Sequence, residues 1–242
     1  MEVITSLENK RIKNYAKLLN KKYREQEGLF LVEGEHLVIE AKNAGCLIEV
    51  IKCEDYDMDF DVSTTLVTYD VIKKLSNTLN PQKVIGVCKM LSNEELGNKV
   101  LILEDIQDPG NLGTIIRSSV AFGVDTIVLS NNTVDMYNDK VLRSSEGMIF
   151  HIDIVKMDVS ECINELHEAG YEIYGTKVDG GTDLRDVTFG DKIAIVMGNE
   201  GAGVSLSTLD KCDKYIYIPM SETCESLNVG VATSIILYEM NK

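Results

Sequence analysis

Closely spaced cysteine pairs are missing from this chain. Its six cysteines, at positions 46, 53, 88, 162, 212 and 224, are scattered without a C-x-x-C pair. Structural zinc sites want close thiolate ligands, so reduced, buried thiols are the expectation instead. Histidine is scarce too: His36, His151 and His167 lie far apart, and no metal site is expected. No apolar run approaches the roughly 18 residues of a membrane span, which argues against membrane association. A basic start followed by a long apolar core is absent from the N-terminus, so a secretory signal is not expected and the cytoplasm is. Neither G-x-G-x-x-G nor G-K-[ST] occurs. The glycine run 198–203 reads G-x-x-G-x-G, a spacing that disfavours a nicotinamide enzyme or a P-loop.

Positive charge is also in short supply. The 242 residues carry 24 Lys and Arg against 39 Asp and Glu, a formal net charge of −15. Taken alone, this balance opposes a polyanionic partner. Its distribution does not. Residues 1–24 hold Lys10, Arg11, Lys13, Lys17, Lys21, Lys22 and Arg24 against only Glu2 and Glu8. A basic arm on an acidic body can bind phosphate locally; a solvated helix face is the plainer reading of the same residues.

A hydrophobic content of 44% is ordinary for a globular protein, and the length allows one large domain or two modest ones. Neither repeats nor low-complexity segments interrupt it. The polar stretch 91–98 separates apolar runs at 84–90 and 100–106, so the division falls there: a first part at 1–92, a linker at 93–99, and a second part at 100–242. In the first part the pattern predicts a basic helix near 10–23, strands at 29–32, 48–51, 66–69 and 84–88, and helices at 34–44 and 70–75. Period-two alternation at 48–51 predicts a half-buried strand. In the second part, strands at 100–103, 126–129, 152–155, 172–174, 193–197 and 215–218 alternate with helices at 111–122, 139–145, 160–169 and 226–239. Short all-apolar strands between helices predict an α/β fold with a parallel sheet covered on both faces.

Three turns in the second part each follow an apolar strand, and ligands bind at that edge of a parallel sheet. The first turn, 108–117, reads Asp-Pro-Gly-Asn-Leu-Gly-Thr-Ile-Ile-Arg. Asn111 there can cap a helix, and Arg117 presents a planar fork suited to phosphate, with a surface salt bridge as its simpler role. The second is the glycine loop 198–203. In the third, 218–229, Ser226 can cap the last helix. That helix has a wide apolar face (Leu227, Val231, Ile235, Leu237), as at a subunit interface.

Together these turns resemble the SpoU/TrmH family of RNA ribose methyltransferases, within the SPOUT superfamily. The matching residues are Asn111-x5-Arg117, the loop 198–203, Ile218-Pro-Met followed after six residues by Leu227-Asn-Val229, and the intervening Arg143-Ser-Ser-x-Gly147. The first part, with 22–24 and 30–34, is similar to the ribosomal-protein-like α/β substrate-binding domain often joined to such enzymes. The resemblance implies a SPOUT domain with a deep trefoil knot, bound S-adenosylmethionine, an RNA substrate and a homodimer. It places the cofactor at Thr176, Gly198, Gly201, Ile218, Met220 and Leu227. The chemistry it assigns to Arg117, Asn111, Glu200, Ser226 and Asn228. RNA contact falls to the basic arm through Lys10, Arg11, Lys13, Lys21, Lys22 and Arg24. Where the family commonly has Gly and Ser, this chain has Glu222 and Gly230.

The implied reaction moves a methyl group to a ribose 2′-hydroxyl and needs no metal. Arg117 would orient the hydroxyl and anchor phosphate, because a guanidinium pKa of about 12.5–13.8 makes it an awkward base. Glu200 would hold that guanidinium, and Asn111 and Asn228 would position it or the ribose. Ribosomal RNA is preferred to transfer RNA because the extra domain suits a structured target. Two alternatives stay open: methylation of a base nitrogen by the same fold, and a non-catalytic RNA-binding or ribosome-assembly factor. No aromatic platform names a particular nucleotide.

Overall fold

A computed structural model describes residues 2–92 and 96–242 of the chain. They form two compact units: residues up to 92 together with 135–150, and the remainder. The expected linker at 93–99 lies partly outside the described residues, since 93–95 are not among them.

Unit 1 contains α1 (Lys10–Lys17), α2 (Lys21–Glu27), β1 (Leu29–Glu33), α3 (Glu35–Asn43), β2 (Leu47–Cys53), β3 (Thr64–Val67), α4 (Tyr69–Lys74) and β4 (Val84–Lys89). Its four-stranded sheet runs β1-β4-β2-β3. β4 is antiparallel to both neighbours, while β2 and β3 are parallel. Ile12 of α1 is fully buried against Ile51, Val67, Val71 and Ile85.

Three expectations for this unit are corrected. The basic helix is two helices, because Asn20 caps the second: its side chain accepts from the Lys22 N–H, as a capping Asn does. The alternation at 48–51 is lost: Ile48 is 37% exposed, while Glu49, at 3%, is buried together with Val50 and Ile51. A register shift between Leu47 and Glu49 turns the carboxylate inward. There it accepts from Arg11 Nη2, Tyr15 Oη and Thr65 Oγ1, each at 2.6 Å, which satisfies a buried charge that would otherwise be costly. Lastly, the segment 135–150, placed by sequence in the second part, clusters with unit 1. It carries α6 (Asp139–Ser144). Phe30 stacks on Tyr137 and Phe150 at centroid distances of 4.4 and 6.4 Å, and the Tyr137 hydroxyl accepts from the Leu91 N–H at 2.8 Å.

Unit 2 contains β5 (Lys99–Leu103), α5 (Pro109–Ala121), β6 (Thr126–Leu129), β7 (Asp153–Lys156), α7 (Val159–Glu168), β8 (Glu172–Thr176), β9 (Thr182–Asp183), β10 (Ile193–Met197), α8 (Leu206–Leu209), β11 (Lys214–Tyr217) and α9 (Val229–Met240). The strands form one sheet in the order β7-β6-β5-β10-β8-β11-β9, and every pairing in it is parallel. β6 and β10 are buried at every residue, as strands covered on both faces must be. The sheet order brings the C-terminal ends of β5, β10, β8 and β11 side by side, and the turns that leave them share one edge.

Candidate active site

The glycine loop is set by its own backbone. Asn199 and Gly203 exchange N–H to C=O bonds of 3.1 and 2.9 Å, and Asn199 Oδ1 also accepts from the Gly201 and Ala202 N–H groups. A Cβ on Gly198 would lie 2.0 Å from the Gly203 carbonyl carbon, so no side chain fits there. Gly201 is different: a Cβ there would meet only Asn199 Oδ1, at 3.7 Å. Packing within the protein does not demand glycine at 201, whereas close approach of a ligand to the backbone would.

This loop, the end of β8 and the segment 216–229 enclose a cleft of about 360 Å³. That lies within the roughly 300–1,000 Å³ of small-molecule sites. Thr176, Gly198, Gly201, Ile218, Met220 and Leu227 all line it, and so do Glu200 and Ser226. Sequence reading missed Lys177, Val178, Tyr217 and Glu225 on the same walls. Lys177 and Glu225 each adjoin an expected residue, and that adjacency was the only available signal. The Thr176 hydroxyl is committed to the Val196 carbonyl at 3.0 Å. Glu222 is exposed and does not line the cleft.

Beside the cleft, a row of side-chain amides ties the three turns together. Asn228 Nδ2 donates to Asn111 Oδ1 at 2.8 Å, and Asn111 Nδ2 donates to Glu200 Oε1 at 3.1 Å. The Glu200 carboxylate also accepts from the Asp108 N–H at 3.0 Å and the Gln107 N–H at 3.2 Å. Burial pushes its pKa up, but the hydrogen bonds from Asp108, Asn111 and Gln107 outweigh this and hold the carboxyl below its ordinary value.

Several expected roles change. Glu200 does not hold Arg117; backbone and amide donors occupy it. Asn111 does not cap α5. Asp108 does, accepting from the Asn111 N–H, with Pro109 at the first helical position, where a missing N–H costs nothing. The last helix begins at Val229 and is capped by Asn228, which accepts from the Gly230 and Val231 N–H groups; Ser226 is in the preceding loop. Gly230 sits where α9 crosses α5, and a Cβ there would lie 3.3 Å from Thr114 Cγ2. Arg117 is exposed on α5, lies outside the cleft lining, and has no ion pair among the described residues.

The basic arm divides as well. Lys10, Lys13, Lys21 and Lys22 are exposed. Arg11 is engaged with Glu49, and Arg24 is only 6% exposed. Its Nη1 donates to the Leu18 carbonyl at 2.8 Å and its Nε to Asp135 at 3.2 Å. Both arginines hold unit 1 together, so the expectation that Arg24 faces RNA is withdrawn.

With this geometry in place, likeness to known proteins becomes informative. The profile of the SpoU rRNA Methylase family matches residues 98–238. The chain belongs to this family. A second profile, the MRM3-like substrate binding domain, matches residues 9–86. Among SpoU relatives, the 23S rRNA (guanosine(2553)-2'-O)-methyltransferase RlmP of Bacillus subtilis (strain 168) is 38% identical, over 99% of this chain and 99% of its own. The AdoMet-bound rRNA methyltransferase from Sinorhizobium meliloti superposes with a TM-score of 0.89 at 28% identity, over 99% of this chain and 97% of that one. The SpoU methyltransferase AviRb from Streptomyces viridochromogenes, in complex with AdoMet, gives 0.86 at 26%, over 96% and 97%. These SpoU likenesses span both units.

Proposed function

We propose that this protein is an S-adenosylmethionine-dependent methyltransferase acting on a ribose 2′-hydroxyl of ribosomal RNA. The observation that carries this is the cleft at the strand ends, walled by the loop 198–203 and the segment 216–229 and tied by Asn228, Asn111 and Glu200. Its lining suits the cofactor: open backbone at Gly201, apolar walls from Ile218, Met220 and Leu227, and a cation and an anion from Lys177 and Glu225. When bound, S-adenosylmethionine supplies a methyl group on a positively charged sulfur. The apolar walls at Ile218, Met220 and Leu227 would disfavour a charged ground state relative to a transition state in which that charge is being lost. Glu200, Asn111 and Asn228 hold the three turns in register.

Arg117 anchors phosphate and orients the sugar. Because it stands outside its own cleft lining, we assign it to the cleft of a second copy, which makes the enzyme a homodimer. The exposed apolar row Val231, Ile235 and Tyr238 on α9 supports that arrangement, since such a stripe favours burial against a partner. The trefoil knot and a cytoplasmic location belong to the same reading. Unit 1, with its match to a substrate-binding domain, takes the RNA.

A relative that matches end to end is named for guanosine 2553 of 23S rRNA, so the equivalent guanosine is the first position to examine. Transcribed 23S rRNA incubated with the protein and S-adenosylmethionine is expected to yield 2′-O-methylguanosine on digestion and mass spectrometry. A methylated base in place of a methylated ribose would move the target to a base nitrogen. No methylated nucleoside at all would leave only an RNA-binding role.

A further inference from the structure

Between α4 and β4 of unit 1, the loop 76–82 is unusually well tied for a surface connection. The Glu33 carboxylate at the end of β1 accepts from Ser76 Oγ at 2.5 Å, Thr78 Oγ1 at 3.0 Å and the Gln82 N–H at 3.0 Å. Tyr69 Oη donates to the Pro81 carbonyl at 3.0 Å, and the Gln82 side chain lies where a Cβ on Gly34 would be. Yet the tip of this fixed loop lifts Leu79 into solvent with 98% of its surface exposed, flanked by exposed Asn77 and Asn80. The loop's conformational entropy is given up on folding, so a partner that meets Leu79 has little more of it to lose.

Its neighbourhood names the partner. Ser76 and Asn77 share a small cavity of about 30 Å³ with Leu19, in the turn between α1 and α2, and with Arg143 of α6. Arg143 is offset by Asp139, and Lys21 weakly by Glu25 at 3.9 Å. The helix ends that flank this turn carry Lys17 and Lys22, whose ammonium groups lie 5.8 and 6.0 Å from the centre of the Tyr23 ring. An exposed leucine flanked by the Asn77 and Asn80 amides, with lysines on the helix ends either side of Leu19, is unlike the contiguous apolar core of a protein-docking patch. It matches the chemistry of an unpaired RNA segment, whose splayed bases offer apolar faces and whose backbone offers phosphates.

We propose that the loop 76–82 is the RNA-reading element of unit 1, with Leu79 packed against an unstacked base and Lys17, Lys21 and Lys22 on the flanking phosphates. This rests on the reading of ribosomal RNA as substrate and adds where unit 1 grips it. Filter binding of the full-length protein to transcribed 23S rRNA tests it, because binding does not require transfer. Leu79→Ala is expected to weaken binding about tenfold, as removal of one leucyl side chain buried against a base predicts, while Leu79→Met stays close to wild type. The salt slope is unchanged in Leu79→Ala. In Lys17→Gln, Lys21→Gln, Lys22→Gln it falls by about 0.7–0.9 for each phosphate no longer neutralised. Since Leu79 packs on nothing, its replacement leaves the fold intact. Wild-type affinity in Leu79→Ala overturns the inference. Absence of transfer by the wild-type protein to a transcript that it binds would instead overturn the reading beneath it.

Discussion

Arg117 is the exposed cation on which transfer is expected to depend. Arg117→Ala should lower kcat on the order of a hundredfold or more, as loss of a group that acts only in the transition state does. Cofactor affinity by calorimetry should be unchanged, and equal activity would remove Arg117 from the chemistry. Arg11 looks similar in the sequence and does something else. Arg11→Ala leaves Glu49 buried without its cation and is expected to cost about 1–3 kcal/mol in a urea titration, since hydrogen bonds to charged groups are worth that much. Glu200 gives a pH signature. Its folded pKa is depressed, so the stability it adds is complete above its ordinary value of about 4.3 and is lost as pH falls through the lower folded value. Glu200→Gln should therefore reduce the acid-side loss of stability measured by denaturant titration between pH 6 and 3.

At the scale of elements, the strands with β-branched apolar runs were legible to within a residue or two because such runs have no other stable use, whereas the two-residue β9 (Thr182–Asp183), which has no such run, was missed. The two turns that wall the cleft and the third that is tied to them were legible too, since each couples a strand end to residues that resist burial. Local competition was harder to read. Asn228 takes the cap that Ser226 could have had, and Asp108 takes the one open to Asn111. Each choice depends on where the first helical turn closes. Glu49 faces inward because of a bulge, and Arg24 is buried by Asp135, more than a hundred residues away. No local period encodes either. Gly198→Ala places a methyl 2.0 Å from the Gly203 carbonyl carbon across the loop, so the loop must open. We expect loss of cofactor binding by calorimetry and destabilisation of at least about 1–3 kcal/mol.

For the whole molecule, the exposed stripe on α9 is where the proposed assembly can be tested. Ile235→Asp puts a charge in the middle of Val231, Ile235 and Tyr238 and should give a monomer by sedimentation. If Arg117 serves the neighbouring copy, that monomer should bind cofactor but transfer no methyl groups. A stable dimer in this variant would place the interface elsewhere. The interleaving of the two units has a different consequence, one of timing. Unit 1 finishes its core only with Tyr137, α6 and Phe150. During synthesis at about 5–20 residues per second, its first 92 residues must wait several seconds for the stretch that completes them, while β5, α5 and β6 of the other unit are already emerging. The nascent chain therefore cannot mature strictly one domain after the other: the amino-terminal half stays open on the ribosome until the carboxy-terminal half is well begun.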